Sequence, residues 1–310
     1  MLRYLRGRFV QLAGVVLGVS TALFFVLRLS GDPVMLLVPP EATPEQIEEL
    51  RRAMGFSDPL VVQYVRFMRH LLVLDFGDSL LFRQPALKMV LERAPATIEL
   101  TVAAILLAVA VALPVGIYSA THPGGWSSRL LTLATLLGQS MPGFWLGLLL
   151  ILLFAVGLRL LPSFGNETPS HLILPAVTLG AFPMARLMRL TRSGMLEVLS
   201  EDYIRTAYAK GLSDRIVFYR HALRNFLIPI VTIIGVDFSM LLGGAVLVES
   251  VFSWPGLGLQ IVKGALSRDY PIVQATVFCV ALMVVLINLA VDVVYLVLDP
   301  RIGRGRGAAA

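Results

Sequence analysis

The stretch 202–229, DYIRTAYAKGLSDRIVFYRHALRNFLIP, is a polar island carrying Arg205, Lys210, Arg215, Arg220, His221 and Arg224 between two long apolar runs. Basic loops of this kind set the orientation of membrane proteins, and charge alone asks for nothing more. The pattern does ask for more. Residues 203–210 are helix-compatible, with small Ala207 and Ala209 in the middle, and Gly211 follows where a helix C′ residue needs positive φ. Ser213 or Asp214 then caps a second helix, on which Ile216, Val217, Tyr219 and His221 lie around a partly apolar surface before Pro229. The expectation is helix, turn, helix outside the membrane. A loop serving orientation alone needs no such order, so the order implies a contact.

Working outward, the chain has 310 residues, 57% hydrophobic and 15% charged, with a mean hydropathy of +0.80. A soluble domain cannot hide that much apolar surface, so the class is membrane protein. The single cysteine, Cys279, sits in an apolar run and excludes an intrachain disulfide. His70, His122, His171 and His221 lie far apart in sequence without metal-ligand spacing. A net charge of +6 is explained by orientation rather than by nucleic acid, because the basic residues fall where topology places them. No cleavage pattern follows the first apolar run, so it reads as a span and not as a signal peptide.

The segments predicted in order are a cytoplasmic N-terminus at 1–8, spans at 9–29, 98–120, 130–158, 172–193, 226–251 and 271–298, and a cytoplasmic tail at 299–310. About 20 apolar residues cross a bilayer core. Between the first two spans, 30–96 reads as an external helical subdomain, followed by a membrane core at 97–310. In the subdomain, Thr43 with Gln46 forms a capping box, Pro44 stands at N1 and Gly55 at C′, giving a helix over 44–54. A second helix starts at Asp58 and Pro59, with Leu60, Tyr64, Phe67, Leu71 and Leu74 at helical spacing. DFGDS, 75–79, reads as a turn, and Pro85 begins a third helix ending near Arg93.

Within the core, Glu99 is placed in the first turn of its span, where the helix dipole stabilises it. Gln139, Ser140, Pro142 and Gly143 interrupt the third span, either because they line a polar pathway or because Gly143 and Gly147 pack at a kink. Arg186, Arg189 and Arg192 recur every three residues on a helix expected to project into the cytoplasm and lead into the loop 194–225. In the external loop 252–270, Trp254 suits the membrane interface; Asp269 and Pro271 then cap and begin the last span. Asp237 stands mid-span, where an acid costs about 3 kcal/mol, so it faces a pathway or partner, or is protonated. The proposed inside segments hold fifteen Lys and Arg residues, against Arg159, Lys263 and Arg268 in the short outside loops, which places both termini inside.

No GxxxxGK[ST] phosphate loop is present, so the chain does not hydrolyse ATP. A secondary transporter would show inverted repeats or paired interrupted helices, and none is visible. An intramembrane enzyme would need a nucleophile and base or an HExxH; Asp237 and Asp292 lack any such spacing.

The island resembles the cytoplasmic loop of permease subunits of bacterial ATP-binding-cassette importers, in the branch for dipeptides, oligopeptides and nickel. Arg205, Thr206 and Ala207 stand where the general importer motif has Glu-Ala-Ala, Gly211 is its glycine, and HALRN, 221–225, is similar to the motif's end in the peptide branch. The resemblance extends over the chain in order: ATPEQIEELRRAMG (42–55), DFGDS, LERAPATIEL (91–100), SMPGFW (140–145), GGAVLVESVFSWPGLG (243–258) and NLAVDVVYLVLDPRI (288–302). It implies an all-α, six-span type I importer permease in the bacterial inner membrane, importing di- or oligopeptides, with nickel or glutathione as the alternatives. The implied partners are a second related permease, two ATP-binding subunits and an external binding protein. ATP and Mg would sit on the ATP-binding subunits, with no cofactor on this chain. On the same basis Tyr203, Arg205, Thr206, Ala207, Lys210, Gly211, His221, Arg224 and Asn225 form the contact with the ATPase. Gln139, Ser140, Asp237 and Asn288 are the pathway candidates, and Trp254, Pro255 and Gly256 the candidate contacts for the binding protein.

Overall fold

The computed structural model describes residues 2–29, 34–38, 41–122 and 124–298 of the chain. In order, its helices are α1 (Leu2–Leu29), α2 (Val34–Leu37), α3 (Pro44–Ala53), α4 (Leu60–Leu72), α5 (Ala86–Thr121), α6 (Trp126–Ser140) and α7 (Gly143–Leu150). They continue as α8 (Ile173–Leu199), α9 (Asp202–Ala209), α10 (Asp214–Ile216), α11 (Leu223–Phe252), α12 (Leu257–Leu266) and α13 (Tyr270–Leu298). Among the described residues there is no strand beyond one isolated bridge between Asp78 and Pro85. Ala86–Thr121, Pro169–Leu199, Pro229–Phe252 and Tyr270–Val294 are long and apolar enough to cross a membrane. A fifth span results if the bent pair Trp126–Ser140 and Gly143–Gly157 counts as one, so length and composition support four or five spans where six were expected. In α1, the expected first span, the apolar helix counted is Ala13–Leu29. The expected tail, 299–310, lies outside the described residues.

Three expectations change. The third subdomain helix does not end near Arg93: α5 runs for 36 residues through Pro95 and Pro114. Neighbouring helices let a membrane helix tolerate such prolines. Glu99 therefore stands mid-helix and exposed, where the dipole argument fails. The predicted span 130–158 is broken at Met141 and Pro142 and ends in a π-helical stretch, Ile151–Gly157. Finally, the second helix of the polar island is no separate element. α10 passes through a π-helical stretch, Val217–Ala222, straight into α11, which keeps Pro229 in its interior.

The chain forms two compact units, 1–97 with 255–285, and 98–254 with 286–310. In the first, the capping box predicted at Thr43 is present: Gln46 N–H donates to Thr43 Oγ1, the Gln46 side chain accepts from Thr43 N–H, and Gly55 has φ +71°. The ion pairs of Glu48 with Arg51 and Arg52 are exposed and contribute little. The Ser57 hydroxyl, which donates to Glu48, holds its carboxyl below the usual range. α4 lies on α1 through aromatic contacts: Phe67 stacks on Phe24 at 5.4 Å, and the hydroxyls of Tyr64 and Thr21 are 2.9 Å apart. Leu60 and Leu74, expected on that face, are exposed. Leu71, Phe76, Ala86 and Val90 pack with Leu257, Ile272, Ala275 and Phe278.

Asp269 ties this unit together. As expected it caps α13, accepting from Ile272 N–H at 3.5 Å, and it also accepts from the Ser79 hydroxyl and the N–H groups of Leu80 and Leu81. A 2% exposed carboxylate thus orders the turn after DFGDS. At the start of that turn Gly77 N–H donates to Asp75, which holds the Asp75 carboxyl below its usual range, with His70 adding to the effect.

In the second unit α8 is the central helix: thirteen of its 27 residues are buried. It approaches α5 closely where Ala104, Ala108, Ala112 and Gly116 recur every fourth residue, and the three alanines are fully buried. A Cβ on Gly180 would lie 2.8 Å from the Ala104 carbonyl oxygen, and one on Gly116 would lie 2.7 Å from Thr191 Cβ. Only small residues permit that spacing. Elsewhere on α8 the Thr135 hydroxyl of α6 donates to Met188 sulfur at 3.4 Å, Gly194 faces the Phe226 ring, and Gly147 of α7 meets Thr178 and Phe252.

Gly180→Ala is expected to destabilise the protein by about 1–3 kcal/mol, since the obstruction is backbone. Gly143→Ala, with nothing within 4 Å of the added Cβ, should be near neutral on this count; equal thermal midpoints for the two purified variants would refute the close approach. Asp269→Ala is expected to cost about 2–4 kcal/mol by orphaning buried donors, read as faster proteolytic cutting of the 75–85 turn than in Ser79→Ala.

Candidate functional site

The polar island builds a small folded surface. α8 ends at Leu199 with Ser200 as its C-cap, and Glu201, in extended conformation, precedes α9 with Asp202 in its first turn, where a negative charge suits the dipole. Thr206 donates its hydroxyl to the Asp202 carbonyl oxygen, and Arg205 lies 3.5 Å from the Asp202 carboxylate, both side chains well exposed. Lys210 is the C-cap, and Gly211 follows with φ +74°. Gly211 N–H bonds to Tyr208 O and Leu212 N–H to Ala207 O, which closes the helix end. Ser213 then precedes α10 in extended conformation without a side-chain cap bond. Burial, with the nearby Asp214 carboxylate second, pushes the Tyr208 phenol above its usual range.

The burial pattern divides α9 into two faces. Ile204 and Ala207, 1% and 6% exposed, pack with Ile117 and Ala120 of α5, Met195 of α8, and Val217 and Ala222 leading into α11. Tyr203, Arg205, Thr206, Tyr208, Ala209, Lys210 and Gly211 are exposed. Ala207 was expected on the contact surface; the structure turns it inward, because its place three residues after Ile204 puts both on one helix face. The side chains of His221, Arg224 and Asn225 lie outside the described part of the structure.

At membrane depth the pathway candidates separate. Asp237 of α11 is 2% exposed and accepts a hydrogen bond from Arg186 Nη1 of α8 at 2.9 Å. It therefore lies against a protein cation and does not line an open path. Asn288 of α13 is exposed and accepts from the Ser239 hydroxyl of α11 at 3.0 Å. Gln139, half-buried, and Ser140, exposed, stand at the C-terminal end of α6 before the break. The Arg186–Asp237 pair escaped the sequence reading although both halves were visible. In the sequence the arginine series reads as an orientation signal, and an acid on the next span is the sign that one of them is its partner.

Of the external candidates, Trp254 is 2% exposed, Gly256 is buried and Pro255 half-buried, so the indole is no surface contact in this chain. The cause is local. Ser253 takes φ +49° at the end of α11, and Trp254 N–H bonds back to Glu249 O at 2.9 Å, which reverses the chain tightly.

Comparison with known proteins gives this geometry a context. Residues 112–304 match the family described as binding-protein-dependent transport system inner membrane component, and residues 1–101 match the N-terminal part of such membrane components. The glutathione transport system permease protein GsiC of Salmonella paratyphi A is 42% identical over 303 residues, covering 97% of this chain and 99% of that protein. The dipeptide transport system permease protein DppB of Alkalihalophilus pseudofirmus is 39% identical over 331 residues, with the same coverage. A chain of the methionine ABC transporter MetNI in inward-facing conformations superposes with a TM-score of 0.58 at 18% identity, over 68% of this chain and 96% of that one, and so shares the fold. With an all-helical fold, apolar helices of membrane length and similarity along nearly its whole length, this chain belongs to the binding-protein-dependent inner membrane components and is a multi-pass permease subunit of an ABC importer.

Proposed function

We propose that this permease imports small peptides, glutathione among them, and that α9 is the element through which a cytoplasmic ATPase drives it. The observation that carries the coupling role is the division of α9 into a buried and an exposed face. Ile204 and Ala207 lock it onto residues from α5, α8 and the start of α11, so a push on the outer face displaces the ends of three long helices together. A rigid element bearing on packed helices is what a shear or hinge transition between two arrangements requires. The outer face offers Tyr203, Arg205, Thr206 and Lys210, a mixed aromatic and basic surface suited to a protein partner. Two ATP-binding subunits carrying ATP and Mg, a second related permease and an external binding protein complete the assembly, and both chain termini face the cytoplasm. The peptide cargo is supported by the relatives, named as glutathione and dipeptide permeases, at 42% and 39% identity over nearly the whole chain.

Charge reversal on the outer face, Arg205→Glu with Lys210→Glu, is expected to lower ATP-driven uptake of labelled dipeptide about tenfold or more in proteoliposomes of the full complex, while the purified permease keeps its thermal midpoint. Undiminished uptake by this variant would sink the coupling role. Ala207→Asp acts differently, because it buries a charge in the cluster of Ile117 and Met195, and is expected to lower both stability and uptake. For the cargo, unlabelled dipeptide and glutathione should each compete with labelled dipeptide; competition by neither removes the peptide assignment.

A further inference from the structure

Between α6, α8 and α11 lies an open cavity of about 470 Å3 whose wall includes Arg186, Arg189 and Arg192 beside Leu190, Leu196 and Ile233. Three arginines spaced by three residues put their guanidinium groups on one side of α8. Among the described residues one of them is neutralised: Arg186 pairs with the buried Asp237 carboxylate. Among the described residues neither Arg189 nor Arg192 makes an ion pair, and Arg192 Nε is buried without a hydrogen-bond partner. Arg192, half-buried, and Arg189, exposed, thus give the cavity a surplus of two positive charges beside its apolar wall, and the buried Arg192 Nε is the donor for which a missing partner is costly. Compensation from outside the chain removes that cost. The Asp237 anchor also restrains Arg186 in place, which lowers the entropy lost on binding.

We propose that this cavity binds an anionic oxygen group, supplied by a phospholipid headgroup or by the carboxylate of a transported molecule. The planar guanidinium fork matches phosphate and carboxylate oxygens in two-point contacts, and the apolar wall accepts the hydrocarbon that either ligand carries. The carboxylate source rests on the peptide-import reading; the headgroup source does not.

The test uses the purified full complex. After exchange into an equal mixture of phosphatidylcholine and phosphatidylglycerol, native mass spectrometry reads which lipid is retained. If the headgroup is the ligand, the wild type retains phosphatidylglycerol and Arg189→Ala with Arg192→Ala reduces that retention about thirtyfold. The Arg189→Lys, Arg192→Lys variant keeps most of it, which separates loss of charge from loss of fold. If the cargo carboxylate is the ligand, the alanine variant raises KM for a dipeptide with a free C-terminus and leaves KM for its C-terminal amide unchanged. Either result upholds the site and assigns its source. Lipid retention unchanged, together with equal effects on acid and amide or no dipeptide transport at all, overturns the proposal. Lipid retention lost while no dipeptide is transported removes the cargo reading and keeps the site.

Discussion

Much of the membrane core depends on how closely α8 can approach α5. Apolar side chains gain nothing by leaving lipid for one another, so helices in a bilayer associate through close contact and hydrogen bonds. Here backbone comes close: Ala104, Ala108 and Ala112 are fully buried, and a Cβ on Gly180 or Gly116 would meet the Ala104 backbone or Thr191 and the Met188 carbonyl. With α8 held there, its remaining faces are available to α6, α7 and α11. Gly147 and Gly194 repeat the device against Phe252, Thr178 and Phe226. A small residue on one side and a ring on the other lets the surfaces interlock without a void.

The charged groups follow from the same arrangement. Asp237 is tolerable at depth because α8 brings Arg186 within 2.9 Å of it. Such a pair contributes little net stability after desolvation, yet loss of either partner leaves a buried charge exposed to the full penalty. It therefore acts more as a constraint on the relative position of α8 and α11 than as a source of free energy. Asp269 plays a comparable part in the other unit, where one carboxylate accepts donors from the turn at 79–81 and from the start of α13. In both places a single acid connects segments remote in sequence.

The elements most legible in the sequence were those bounded by local chemistry. The capping box at Thr43, the stops at Gly55 and Gly211, and the cap at Asp269 depend on groups within a few residues of one another, and each appears in the structure. The misread elements depend on distant neighbours. A helix end near Arg93 and a break at Pro229 were expected, but α5 and α11 run through both positions. Trp254 looked like an interface residue, but the αL turn at Ser253 brings it into a buried position. Ala207 looked like a small contact residue, and which side of α9 faces the protein could not be read from an eight-residue helix alone.

By itself the sequence determined the class, the order of apolar and polar segments, the helix ends with their own caps, and the family through its ordered landmarks. Those properties are set by composition and by interactions between near neighbours along the chain. Only the tertiary structure decided that Asp237 pairs with Arg186 through one of its carboxylate oxygens, that α9 has a buried face of Ile204 and Ala207, and that Arg189 and Arg192 line a cavity without counter-charges among the described residues. Pairing, burial and cavities are relations between residues tens of positions apart, and they exist only once close helix packing has chosen which surfaces meet.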